Sequence, residues 1–216
     1  MMNTLEEAKE IAQVRSNVYS LLSQCFFQPS EQLVATIIDG SLSVALQETV
    51  GMIEDEKVEQ ELARIKDFSI QCREHSPLQV LQDMKVEYNR LFVGPGHLLA
   101  PPYESVYKTR NADNEIGVVM GDAAIDAKQF YRTAGLDLDD NFKDLPDHIA
   151  VELHFMSYLC TLESANAAEG EFLGSHLGSW IADFSQTVRQ ETTSEFYRGI
   201  VGLAESWVMS EIEVLS

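Results

Sequence analysis

Apolar residues recur at intervals of three and four along almost the whole chain, the spacing of helices that each bury one face. Leu5, Ala8, Ile11, Ala12, Val14, Val18, Tyr19, Leu21, Leu22 and Cys25 predict a long first helix. Pro29 stops it, because proline lacks a backbone donor and clashes with the preceding turn. Ser30 is placed to cap a short second helix through Ile38, with Gly40 at its end. A third follows from Ser41 to about Met52, and a fourth from Glu54 to Glu74 turns Val58, Leu62, Ile65 and Phe68 or Ser69 inward. Pro77 suits the first turn of a fifth helix that buries Leu78, Leu81, Met84, Tyr88, Leu91 and Phe92.

Gly94, Pro95 and Gly96 then break the pattern. A sixth helix is expected from Gly121 to Ala134, closed by Gly135, and a polar connection from Asp137 to Asp144 leads to a seventh beginning at Pro146. Ile149, Val151, Leu153, Phe155, Met156, Tyr158, Leu159, Cys160 and Leu162 leave that helix apolar nearly all round, which places it in the middle of a bundle. An eighth carries Phe172, Leu173, Leu177, Trp180, Ile181 and Phe184. A ninth carries Phe196, Ile200, Leu203, Trp207, Val208 and Ile212, with Thr192 or Thr193 as its cap. No alternating strand, internal repeat or low-complexity linker interrupts the series. The expected fold is all-α: a single large bundle of roughly nine helices spanning residues 1–216, with one long Gly/Pro-containing hinge loop as its seam at residues 94–118.

Charge narrows the partners. Fifteen Lys and Arg against 35 Asp and Glu leave a formal charge of −20, which repels nucleic-acid phosphates and anionic lipid headgroups and favours basic partners. The N-terminus MMNTLEEAKE carries acids where a secretory signal has a basic region, and no uncharged apolar run is long enough to cross a bilayer. A cytoplasmic location without membrane insertion follows as the expectation. Cys25, Cys72 and Cys160 are odd in number and far apart, so reduced thiols are expected rather than a disulfide framework.

Catalytic signatures are missing from the sequence. There is no GxSxG elbow, no HExxH, and GPGHLL lacks the Lys and hydroxyl of a phosphate loop. His148 and Glu152 lie one helical turn apart while His154 lies on another face, so a metal site there needs ligands from other helices.

Two stretches stand out. Pro101 and Pro102 hold the chain extended and present Tyr103, Glu104 and Tyr107 in fixed geometry; Glu104 can also tie the loop down by accepting backbone hydrogen bonds. Asp137, Asp139, Asp140, Asp144 and Asp147 gather against only Lys143 just before a helix start, more acids than capping needs. An acidic rim beside an apolar core suits a ligand that is both cationic and hydrophobic.

YNRLFVGPG and APPYESVY, followed by PDHIAVELHFMSYL, resemble the TorD/DmsD family of redox-enzyme maturation chaperones, from about Val14 to the C-terminus. The resemblance implies an all-helical cytoplasmic protein without catalytic turnover. Such a protein binds the twin-arginine leader, and sometimes the immature body, of a molybdenum-containing oxidoreductase precursor until its cofactor is inserted. It also implies a leader-binding set of Gly94, Pro95, Pro101, Pro102, Tyr103, Glu104 and Tyr107 with Asp147, His148 and Glu152, to which the acidic rim adds Asp144. His154 stands where relatives often carry an acid. Domain-swapped homodimers occur in the family, and residues 94–118 suit such a hinge. Relatives have been credited with weak guanine-nucleotide binding, but no phosphate cradle is written here, and no cofactor or metal is expected. The competing reading is a small helical metal- or nucleotide-dependent enzyme or regulator built around His148 and Glu152.

Overall fold

The computed structural model describes residues 2–94, 98–109, 117–137, 145–162 and 166–215. Among these the secondary structure is helical, with no strand beyond one isolated bridge between Tyr103 and His148. Eleven α-helices are present: α1 (Met2–Phe26), α2 (Glu31–Asp39), α3 (Ser41–Thr49), α4 (Glu56–Cys72), α5 (Pro77–Tyr88), α6 (Glu104–Lys108), α7 (Asp122–Thr133), α8 (Ile149–Leu159), α9 (Asn166–Ser175), α10 (Leu177–Glu191) and α11 (Glu195–Leu215). The expected all-α class holds. No single helix among the described residues is long and apolar enough to cross a membrane, and all three cysteines are free and buried.

The chain forms two compact units, one of residues 1–23, 103–180 and 211–216, the other of residues 24–102 and 181–210. In the second unit the expected cap Ser30 is observed, and Asp55 and Ser76 cap α4 and α5 in the same way. Ser30 Oγ accepts from the Leu33 amide at 3.1 Å, Asp55 from Lys57 at 2.7 Å, and Ser76 from Gln79 at 3.2 Å just ahead of Pro77. Gly40 ends α2 at φ 87°, a conformation that costs an L side chain strain. After α5 the chain widens into one π-type turn, Asn89–Val93. Gly94, at φ 42°, closes it by donating its N–H to the Asn89 carbonyl at 2.6 Å. That turn aims Phe92 at the rings of Tyr88, Phe184 and Tyr197, with centroids 5.2, 6.2 and 5.5 Å away.

In the first unit α8 is buried on nearly its whole circumference, with His154 its one exposed residue and Tyr158 half-buried. Polar residues of α1 reach its backbone: Ser16 Oγ donates to the Ser157 carbonyl at 2.9 Å and Ser23 Oγ to Ala150 at 2.7 Å. Phe172 packs between Phe155, Tyr131 and Phe130, with centroids 4.8 to 6.1 Å apart.

Several expectations need correction. The expected eighth helix is two, α9 and α10, broken at His176. Helix α8 begins three residues after Pro146, with His148 as its N-cap. The expected seam contains a short helix, α6. Ile11 and Leu78, assigned to buried faces, are 61% and 64% exposed: each lies near the free end of its helix, beyond the turns that are covered.

Candidate functional site

In the first unit a set of buried polar side chains meets at the starts of α6 and α8. Asp147 and His148 precede α8, and the Tyr103–His148 bridge lays the residue after the proline pair against them. The Glu104 amide donates to the Asp147 carbonyl oxygen at 3.0 Å and the Ser105 amide to Asp147 Oδ2 at 3.0 Å. Asp147 therefore satisfies the open amides at the start of α6, where the helix dipole also favours a negative charge. The loop-tying role expected of Glu104 belongs to Asp147. His148 Nδ1 accepts from the Ala150 amide at 3.1 Å, which leaves the ring proton on Nε2, and the Tyr103 ring meets it edge-on at 5.3 Å. Burial pulls the His148 pKa down to about 3, so the ring is neutral.

One turn into α8, Glu152 Oε2 accepts from the Trp180 indole N–H at 3.1 Å. Tyr107 stacks on the same indole at 5.4 Å. Glu104 lies between two basic side chains: Oε2 is 2.7 Å from His176 Nδ1 and Oε1 2.5 Å from Lys108 Nζ. Burial alone pushes the Glu104 carboxyl up, but His176 and Lys108 outweigh it and hold it below the ordinary carboxylate value. Glu152 goes the opposite way. Its burial and then the neighbouring Glu104 charge push its pKa well above the ordinary carboxylate value. Burial also raises Asp147, against the Ser105 hydrogen bonds that lower it.

The structure thus brings together Tyr103, Glu104, Tyr107, Asp147, His148 and Glu152. Gly94, Pro101 and Pro102 belong to the other unit, the prolines buried and Gly94 closing the turn after α5. Pro95 and Asp144 lie outside the described residues, as do Asp139 and Asp140; Asp137 is exposed. Burial changes what the assembled residues do. Glu104, Asp147, Glu152 and His148 are at most 1% exposed, so they fix the loop, and the expected role of lining an open groove does not suit them as they stand. Tyr103 is half-buried.

Three contributors escape the sequence reading. His176 sits amid Phe172, Leu173 and Leu177, a context that reads as core, and Trp180 reads as packing. The third is an exposed apolar patch: Val118, Met120 and Ile125 are 67%, 68% and 67% exposed. Asp122 and Asp126 are exposed beside them. Val118 is fastened to α6 through its amide, which donates to Thr109 Oγ1 at 2.8 Å. The available signal was the short run VVMGDAAID, in which Val118, Val119 and Met120 precede α7 and Ile125 lies in its first turn next to Asp126.

Residues 54–186 match the family model described as nitrate reductase delta subunit. Similar proteins include the chaperone protein TorD of Shewanella pealeana, 27% identical over 97% of this chain and 93% of that one. Those of Shewanella piezotolerans and Vibrio cholerae are 25% and 23% identical, covering 98% and 96% of this chain and 96% and 94% of theirs. Among solved structures, a redox enzyme maturation protein from Archaeoglobus fulgidus shares the fold, with a TM-score of 0.52 over 93% of both chains at 20% identity. Its model spanning well over half of the sequence, the nitrate reductase delta subunit family, that of the TorD-like redox-enzyme maturation chaperones, is the one to which this chain belongs.

Proposed function

We propose that this chaperone binds the twin-arginine leader, with part of the immature body, of a molybdenum-containing oxidoreductase precursor. It holds the precursor in the cytoplasm, without turnover, until the cofactor is in place. The observation that carries the reading is the patch of Val118, Met120 and Ile125 flanked by Asp122 and Asp126 on a segment fastened to α6. A twin-arginine leader carries guanidinium groups followed by an apolar stretch, and this surface offers carboxylates beside apolar side chains. The buried Asp147, His148, Glu104 and Glu152 act one step back. They hold α6 and its entry at Tyr103 rigid, so that the surface is organised before the leader arrives.

Calorimetric titration with a synthetic twin-arginine leader tests it. Ile125→Asp is expected to weaken binding by about tenfold or more, since a charge replaces an exposed apolar contact, with Tm unchanged. Asp147→Ala combined with His148→Ala is expected to weaken it through loosening of the loop. Equal affinity of folded Ile125→Asp and wild type overturns the surface assignment. Failure of the wild type to bind any twin-arginine leader, or to retain a leader-bearing precursor on purification from its own host, overturns the reading.

A further inference from the structure

Ligand atoms of Glu104 on α6, Glu152 on α8 and His176 at the break between α9 and α10 all lie within 4.8 Å of one another. The three side chains are 0%, 0% and 2% exposed. Glu152 Oε2 is engaged by Trp180, whereas Oε1, wholly buried, receives no hydrogen bond from any described donor, and a Glu104 carboxyl oxygen lies within 4.8 Å of the Glu152 carboxyl. Two buried carboxyl groups this close favour a positive species between them, and a metal cation supplies one.

We propose that Glu104, Glu152 and His176 form a binding site for a divalent transition-metal cation of the Zn(II) class. One imidazole nitrogen with two carboxylate oxygens suits such borderline ions and disfavours Mg(II) and Ca(II), which take oxygen alone. Ligand bonds of about 2.0–2.2 Å require the trio to draw in by roughly 1 Å at its widest. The surroundings already orient the donors: the Trp180 indole holds Glu152, and Phe172 stacks on the His176 ring at 4.6 Å while Phe130 meets it edge-on at 5.2 Å. His148, the histidine that sequence spacing put forward, spends Nδ1 on the α8 cap and takes no part. Lys108 competes with the ion. Its ammonium occupies Glu104 Oε1, and binding of the ion displaces it. The bound ion clips α6, α8 and the α9–α10 break together, independently of whether a leader binds.

The test is titration of the chelator-treated full chain with Co(II), read by its ligand-field absorption and by displacement with Zn(II). The expected result is about one equivalent bound, with Glu152→Gln and His176→Gln each weakening binding about tenfold or more, and His154→Gln, on the exposed face, leaving it unchanged. Lys108→Ala alters a half-exposed residue and keeps the ligands, so it tests the site even where the core variants fail to fold; it is expected to tighten binding. The proposal is overturned by the absence of saturable binding in the wild type, by a folded Glu152→Gln that binds equally, or by a Lys108→Ala protein that binds no tighter than wild type.

Discussion

Glu87 illustrates how a single side chain is committed by its neighbours. On the last turn of α5 it accepts from Arg90 Nε at 2.7 Å and Nη2 at 2.9 Å, from Thr192 Oγ1 at 2.8 Å and from the Thr193 amide at 2.9 Å. Burial acts to raise its pKa, but these donors prevail and hold it at about 2. The folded-state value is depressed below the ordinary 4.5, so the contribution is fully present above pH 4.5 and is lost as the pH falls towards 2. Glu87→Gln is expected to cost about 1–3 kcal/mol at neutral pH, and urea unfolding at a series of pH values should show the gap to wild type closing across that acid window. A gap independent of pH would mean that shape, not charge, is what Glu87 supplies. Its acidity was invisible in the sequence, where Glu87 is one of many acids on amphipathic helices; the Thr192 and Thr193 donors are separated from it by more than a hundred residues.

Among the elements, α6 depends most on residues remote in sequence. Five residues are too few for a helix to persist in water unaided. Asp147 satisfies its first free amide, the Tyr103–His148 bridge sets its entry, and Lys108 and His176 hold Glu104. Asp147→Ala is therefore expected to accelerate amide hydrogen exchange across residues 104–109 by about tenfold or more, as loss of a charged acceptor costs more than about 1 kcal/mol locally, while the core of α8 stays protected. Uniform protection in both would assign the anchoring elsewhere. By contrast α2 and the start of α5 were legible, because Ser30, Gly40 and Pro77 act on groups within four residues of themselves. The break at His176 was not. Gly174-Ser175 and Gly178-Ser179 flank it as helix-weakening residues, but the apolar residues on both sides keep the helical period and mask the break.

A net charge of −20 makes the protein a long-range attractor for cationic segments. Leader binding is expected to weaken several-fold between about 50 and 500 mM salt as the Debye length contracts from roughly 14 to 4 Å, and to leave a residual affinity due to Val118, Met120 and Ile125. Salt-independent titrations would remove the acids from the account. Helical class, most helix bounds, free thiols and the family motifs all follow from local rules: spacing of apolar residues, caps within one turn, and residue types that need no distant partner. Which apolar residues stay uncovered, as Ile11, Leu78 and Ile125 do, is set by where neighbouring elements end. So is the fate of the acids. Asp137 stays in water while Glu104, Asp147 and Glu152 are enclosed around His176. Periodicity fixes the direction a side chain points from its own helix, whereas burial, and with it charge state and chemistry, is conferred by segments that meet only when the chain has folded.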